Sequence, residues 1–132
     1  MARPKAKELT ERELEVMHVF WERNKPDSST ELTVSDVRDA LQASGRDLAY
    51  TTVATLMRIL VEKEFLKQIN DERPFIYQSI RSFDEVSGSM LGEMVQKVFG
   101  GSREKLLVRL MEERTLTQKE LKALEDILRE NS

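Results

Sequence analysis

The chain has 132 residues, 39% of them apolar and 34% charged, and a net charge of −3. This length suits one domain, or a small domain with an accessory segment, and the apolar share is low enough that a second subunit would help to close a core. The chain has no cysteine, which excludes disulfides and thiol chemistry. Because it also has a single histidine, a metal site is not expected. No apolar run is long enough to span a membrane, and the charged start does not resemble a secretory signal, so we expect a cytoplasmic protein. We expect no cofactor.

Two helices are predicted at the start of the chain from their capping boxes. Thr10 with Glu13 begins the first helix, and Thr33 with Asp36 begins the second. Residues 25–32 between them are expected to form a polar loop. The apolar positions predicted to face the core are Leu14, Met17, Phe20 and Trp21 in the first helix and Val34, Val37 and Leu41 in the second. A basic arm precedes both helices and contains Arg3, Lys5 and Lys7.

A third helix is predicted over residues 50–64, and its two faces differ in character. The inner face carries apolar residues at helical spacing, namely Val53, Leu56, Met57 and Leu60. The outer face carries Thr51, Thr55, Arg58 and Glu62, with Thr52 and Ile59 beside it. Its first half therefore has short hydroxyl side chains without long or acidic ones. On its own, such a face is also typical of an ordinary solvated helix.

A β hairpin follows the third helix directly. Residues 65–69 (FLKQI) and 74–80 (PFIYQSI) are predicted strands, and residues 70–73 form the turn. Helices followed by a hairpin are the order of a winged helix-turn-helix, in which the third helix enters the DNA major groove and the hairpin is the wing. Threonine can meet base edges, Arg58 can reach a guanine or a phosphate, and wing cations can meet phosphates. The candidate DNA-binding residues are Thr51, Thr52, Thr55, Arg58, Lys67 and Arg73.

Residues 82–132 carry only helix signals, so the chain is divided into a winged-helix DNA-binding domain over residues 1–81 and a helical dimerisation domain over residues 82–132. Three short helices are predicted there, and each has an apolar line that it cannot bury alone. These helices either fold back on the first domain or form an intertwined dimer, and we favour the homodimer because it can read two half-sites of DNA. The residues predicted to form the dimer interface are Val86, Met90, Met94, Val98, Leu106, Leu107, Leu110, Leu121, Leu124 and Leu128.

Six segments in this order resemble the penicillinase repressor family. They are LTERELEVMHVFW, VSDV, AYTTVATL, LVEKEFL, ERPFIY and VFGGS, spread from about Leu9 to Leu128. The resemblance implies a mainly α protein with a small β hairpin that dimerises through its carboxy-terminal helices. It implies a bacterial repressor of β-lactamase or methicillin-resistance genes that binds a double-stranded operator dyad. It further implies a membrane metalloprotease sensor as a partner, and release from DNA by cleavage in the dimerisation domain.

Some positions depart from the family pattern. Where the family commonly has T-L-x-x-R-L in the third helix, this chain has Ile59 at the usual arginine position and Arg58 one residue earlier. Glu64 replaces the glycine that usually ends this helix, so the left-handed cap costs more or the helix ends differently. The pair Arg109-Leu110 stands where well-known members are cleaved at Asn-Phe. The family also includes copper-responsive repressors with a cysteine-rich tail. The absence of cysteine excludes that tail in this chain.

Two other classes of function are weighed against the repressor. A winged helix that binds proteins, without sequence-specific binding to DNA, is suggested by the acidic net charge and by Asp71 and Glu72 near the wing. An enzyme is the least favoured, because the chain shows no nucleophile and base pair and no glycine-rich phosphate loop. His18 lies beside the apolar stripe of the first helix and is interpreted as a boundary histidine without a catalytic role. Gly100-Gly101 is interpreted as a helix stop.

Overall fold

The computed structural model of the protein describes residues 9–23, 30–113 and 115–130. Six helices occur in this part of the chain: α1 (Glu11–Arg23), α2 (Val34–Ala43), α3 (Tyr50–Glu62), α4 (Phe83–Lys97), α5 (Arg103–Glu113) and α6 (Gln118–Glu130). Three strands accompany them: β1 (Glu31–Thr33), β2 (Leu66–Gln68) and β3 (Ile76–Ser79). The predicted fold class, mainly helical with a small β element, is confirmed. The basic arm with Arg3, Lys5 and Lys7 lies outside the described residues.

The predicted capping boxes begin their helices as expected. The backbone N–H of Thr10 donates to Glu13 Oε1 at 2.9 Å, and the Glu13 N–H donates to Thr10 Oγ1 at 3.2 Å. Thr33 and Asp36 make the same reciprocal pair at the start of α2. Each box satisfies two backbone donors that the helix itself leaves unpaired. The helix starts are therefore encoded by residues only three positions apart.

The sheet contains one strand more than the predicted hairpin. β3 lies in the centre and pairs antiparallel with both β2 and β1. Tyr77 of β3 is opposite Leu32 of β1 and Gln68 of β2. The prediction of a polar loop over residues 25–32 was thus wrong at its end, where Glu31 and Leu32 enter a strand and Leu32 is buried. A strand of three residues is too short to show an alternating pattern, and its pairing partner is distant in the sequence.

A hydrophobic core among the described residues joins α1, α2, α3, the sheet and the start of α4. Its buried residues are Val16, Met17, Val19, Phe20, Leu32, Val34, Val37, Leu41, Val53, Met57, Leu60, Phe65, Leu66, Tyr77 and Val86. Most predicted core positions belong to this set, while Leu14, Trp21 and Leu56 are only partly buried. Val16 and Val19 were not predicted, and their burial shows that α1 is covered over a wider arc than one apolar stripe. His18 is exposed and contacts the edge of Trp21.

The chain separates into two compact units, Met1–Val86 and Ser87–Ser132. The first unit contains the core and the sheet, and the second contains most of α4 together with α5 and α6. Gly100 and Gly101 follow α4 in the left-handed region, with φ of 59° and 86°, and act as the predicted helix stop. No helix in the described ranges combines the length and the apolar character that crossing a bilayer requires.

Candidate nucleic-acid interface

The inner face of α3 fixes which of its residues reach solvent. Val53, Met57 and Leu60 are fully buried in the core. Because a helix turns about 100° per residue, their burial turns the opposite face outward. The predicted base-contacting residues Thr51, Thr52, Thr55 and Arg58 all lie on this exposed side of α3. Ile59, at the position of the usual family arginine, is partly buried beside it.

The end of α3 positions the hairpin. Glu64 has φ of 68°, so the left-handed cap is kept even though the residue is not glycine. The Glu64 N–H donates to the Val61 carbonyl at 3.0 Å and the Phe65 N–H donates to the Leu60 carbonyl at 2.9 Å. These two bonds form a Schellman motif, which reverses the chain at the helix end. Phe65 is thereby buried, and β2 starts directly after it.

A buried ion pair ties the end of α3 to the start of α1. Lys63 Nζ lies 2.7 Å from Glu13 Oε1, and the Glu13 side chain is only 4% exposed. Burial by itself raises the pKa of Glu13. The hydrogen bonds from Lys63 and Thr10 and the charge of Lys63 outweigh that effect, so the pKa lies below its usual value. Glu13 therefore caps α1 and holds α3 against it, two roles of which the sequence pattern indicated only the first.

Arg81 supports the same region from the other side, and sequence reasoning missed it. Its Nε donates to the Glu64 carbonyl at 3.1 Å, and its guanidinium lies 5.2 Å from the centre of the Phe65 ring. The Trp21 indole N–H donates to the Arg81 carbonyl at 2.9 Å. The left-handed cap of α3 is thus held by α1 and by the segment that follows β3. These contacts join residues far apart in the chain, so no local sequence motif predicts them.

The wing turn is organised by Asn70. Its side-chain nitrogen donates to the carbonyls of Glu72 and Pro74, and its side-chain oxygen accepts from the Ile76 N–H at 2.8 Å. Such bonds of an Asn side chain to nearby backbone shape a turn without further secondary structure. The turn therefore has a defined conformation, on which the exposed side chain of Arg73 is carried.

The two predicted wing cations are both exposed but sit differently. Lys67 lies on β2 opposite Gln78 of β3. Arg73 lies in the turn, with its guanidinium 5.5 Å from the centre of the Phe75 ring. Asp71 and Glu72 are exposed in the same turn, so the wing is mixed in charge. Any attraction of the wing to phosphates depends on the two cations individually and not on a general positive field.

The start of α3 contains a further exposed pair that the sequence did not indicate. The Tyr50 ring is 46% exposed, and the Arg38 guanidinium of α2 lies 6.0 Å from its centre. Burial and the nearby Tyr50 raise the pKa of Tyr77, and Arg73 partly opposes that rise. Tyr50 and Arg73 are therefore electrostatic neighbours of the same Tyr77 side chain.

The second unit exposes most of the residues predicted for a dimer interface. Met90, Met94, Val98, Leu107, Leu110, Leu121, Leu124 and Leu128 are between 40% and 70% exposed, and Leu106 is partly exposed. In α5 and α6, no residue that the structure describes is buried. Val86 differs from this group, because it is buried in the core of the first unit. Arg109 and Leu110, the predicted cleavage pair, lie inside α5.

Comparison with known proteins agrees with the resemblance seen in the sequence. Residues 9–130 match the family described as penicillinase repressor. The transcriptional regulator BlaI of Mycobacterium tuberculosis is 39% identical over 105 residues, which are 79% of this chain and 72% of that protein. The penicillinase repressor of Staphylococcus aureus is 27% identical over 125 residues, or 95% of this chain and 94% of that protein.

A methicillin resistance regulatory protein, MecI of Staphylococcus aureus strain N315, is 24% identical over 124 residues, or 94% of this chain and 95% of that protein. The family match covers both compact units, from the first turn of α1 to the end of α6. The chain therefore belongs to the penicillinase repressor family of bacterial transcriptional repressors.

Proposed function

We propose that the protein binds a two-fold symmetric DNA operator as a homodimer and represses transcription, with α3 in the major groove and the β2–β3 hairpin on the flanking backbone. The observation that carries the proposal is the exposed face of α3. Its residues Thr51, Thr52, Thr55 and Arg58 are outward because the opposite face is buried. Hydroxyl, methyl and guanidinium groups suit the donors, acceptors and thymine methyl groups of the major groove.

The wing supplies contacts that do not depend on base sequence. Lys67 and Arg73 are exposed on a hairpin that begins directly after α3. Cations at such positions neutralise phosphates, and the released counterions make binding dependent on salt. Because the net charge is −3, this attraction is local, and we expect weak binding to random DNA beside stronger binding to the operator.

The dimer is supported by the apolar surface of the second unit. Monomeric soluble proteins rarely expose contiguous apolar patches larger than a few hundred Å². The side chains of Met90, Met94, Leu107 and Leu124 are each at least 40% exposed, on three successive helices. A second copy of the chain would cover them, and two-fold symmetry would place two α3 helices on two half-sites. Homodimerisation and a dyad operator are thus parts of one proposal.

Release from DNA by proteolysis, after signalling from a membrane sensor, belongs to the same proposal. The proposed cleavage bond joins Arg109 and Leu110 in α5, where Arg109 lies 3.7 Å from Glu112 and 3.9 Å from Glu113. Both side chains of the bond are more than half exposed. A protease needs an extended substrate, so this turn of α5 must open locally before it is cut. By analogy with relatives named for penicillinase and methicillin resistance, we propose regulated genes of antibiotic response.

Selection of binding sequences from random duplex DNA at moderate salt tests the proposal. Enrichment of a two-fold symmetric site is the expected result. If the folded protein enriches no sequence, the repressor proposal is wrong. A winged helix that binds proteins, suggested by the net acidic charge and by Asp71 and Glu72 in the wing turn, would then be the better account.

A further inference from the structure

One ion pair lies on the exposed face of α3 itself. Arg58 Nη1 is 2.9 Å from Glu62 Oε2, one helical turn away. At about 100° per residue, Thr51, Thr55, Arg58 and Glu62 fall within about 60° of one another around the helix. The carboxylate therefore stands on the same line as the proposed base-contacting residues. An acid in that position is unexpected for a surface that approaches phosphates.

We propose that Glu62 is a positioning residue that directs the Arg58 guanidinium to a guanine edge in the major groove and away from the DNA backbone. This inference rests on the proposed function and specifies one of its contacts. A guanidinium has five N–H donors, and the bond to Glu62 uses one of them, on Nη1. Donors remain for N7 and O6 of guanine, the commonest specific arginine contact.

The charge of Glu62 also discriminates between the two targets open to Arg58. A carboxylate next to the guanidinium lowers the local positive potential, so a phosphate is attracted less. The edge of a guanine carries no net charge and is recognised through hydrogen-bond geometry. The ion pair with Glu62 improves that geometry because it restricts the Arg58 rotamers. Glu62 thus weakens binding to DNA in general while sharpening the choice of base.

Neighbouring residues do not offer the same contact. Ile59, which occupies the usual arginine position of the family pattern, has no polar side-chain atom and is partly buried. Lys67 and Arg73 lie on the hairpin, where backbone contacts are expected. Among the described residues of α3, Arg58 is the arginine on the exposed face. Its ion pair with Glu62 sets where the guanidinium lies relative to the bases.

The test compares selected binding sequences and affinities for wild type, Glu62→Gln, Arg58→Met and the double variant. The side chains of Arg58 and Glu62 are 62% and 64% exposed, so the variants should fold, which circular dichroism checks. Glu22→Gln, an exposed acid of α1, is the control that removes the same charge elsewhere. Each variant is also titrated on random duplex DNA at several salt concentrations.

We expect wild type to enrich guanine at one position of each half-site, and Arg58→Met to lose that preference by about 5-fold or more. Glu62→Gln should weaken the same preference by about two- to fivefold, as suits an exposed pair, and raise the affinity for random DNA. In the Arg58→Met background, Glu62→Gln should raise affinity without changing any base preference. Glu22→Gln should change neither.

Two results would overturn the positioning role while leaving the operator proposal intact. One is a wild-type site whose base preferences do not depend on Arg58. The other is a Glu62→Gln variant that gains affinity equally on all sequences, because Glu62 would then act only through its charge. If wild type enriches no site at all, both the operator proposal and the role of Glu62 are rejected.

Discussion

Replacing Glu64 by glycine should leave the winged-helix unit more stable than replacing it by alanine. Glu64 is the residue after the C-cap of α3, and its φ of 68° is in the left-handed region. An L-residue in that conformation costs about 1–2 kcal/mol. Glycine relieves this cost but loses more backbone entropy on folding, a difference of about 0.5–1 kcal/mol. From the midpoints of these two ranges, the net backbone gain expected for glycine over alanine at this position is about 0.75 kcal/mol.

The comparison of Glu64→Ala with Glu64→Gly isolates this backbone effect. Alanine removes the interactions of the carboxylate and keeps the Cβ atom, whereas glycine removes both. The hydrogen bond from the Arg81 side-chain Nε to the Glu64 backbone carbonyl is available to either variant. Gly45→Ala is the converse control, because Gly45 ends α2 with φ of 98° and should lose stability on gaining a Cβ atom.

The free energies of unfolding are measured by urea denaturation at one protein concentration, with far-UV circular dichroism and Trp21 fluorescence as probes. The concentration is held constant because a dimer is stabilised by its own concentration. Glu64→Gly should be more stable than Glu64→Ala by the amount given above. Equal stabilities, or a more stable alanine variant, would mean that a Cβ atom does not strain the left-handed cap of α3.

The further predictions concern the ion pair, the wing and the dimer. Lys63→Met should destabilise the protein by about 2–3 kcal/mol at neutral pH because Glu13 stays buried without its cation. The folded pKa of Glu13 lies below its usual 4.5, so its ionised form stabilises the protein at neutral pH, and Glu13→Gln should lose that contribution. Wild type should lose the same contribution as the pH falls through the folded pKa, so the free energies of unfolding of the two proteins should converge in acid. Arg73→Ala should weaken binding to operator and random duplex alike and lower the salt slope by about one, measured by anisotropy titration; a loss on the operator alone would contradict a phosphate contact. Met94→Asp should raise the dissociation constant of the dimer at least about tenfold in sedimentation experiments. Lys119→Asp, at an exposed position, is the control. Unchanged association of Met94→Asp would argue against the interface.

The parts of the fold that the sequence predicted are those encoded locally. Thr10 with Glu13 and Thr33 with Asp36 begin their helices because a cap needs partners only three residues apart. Strand β1 escaped prediction because it has only three residues and its partner β3 is more than forty residues away in the chain. The same reason hid Arg81, whose contacts join the ends of α1 and α3.

The candidate site was predicted in its side chains but not in their interactions. Helical periodicity placed Thr51, Thr55 and Arg58 on one exposed face, as the burial of Val53 opposite them requires. The pattern also placed Glu62 on that face, yet the pair with Arg58 became evident only from their distance of 2.9 Å.

The second unit shows the limit of periodicity in a helix with several apolar lines. Met90, Met94 and Val98 follow helical spacing and were predicted to lie on one face. In the structure these three are 47–70% exposed, while Val95, outside the predicted line, is buried. Spacing alone therefore does not tell which apolar residues a helix buries within its own chain and which it leaves for a partner.

An affinity comparison decides whether the outer face of α3 reads bases. Wild type and Thr55→Ala are titrated at fixed salt against the selected duplex and against a random duplex of the same length. We expect Thr55→Ala to lose about 1–3 kcal/mol of binding free energy on the selected duplex and almost nothing on the random one. An equal loss on both duplexes would contradict it, because Thr55 would then contribute only to general contact with DNA.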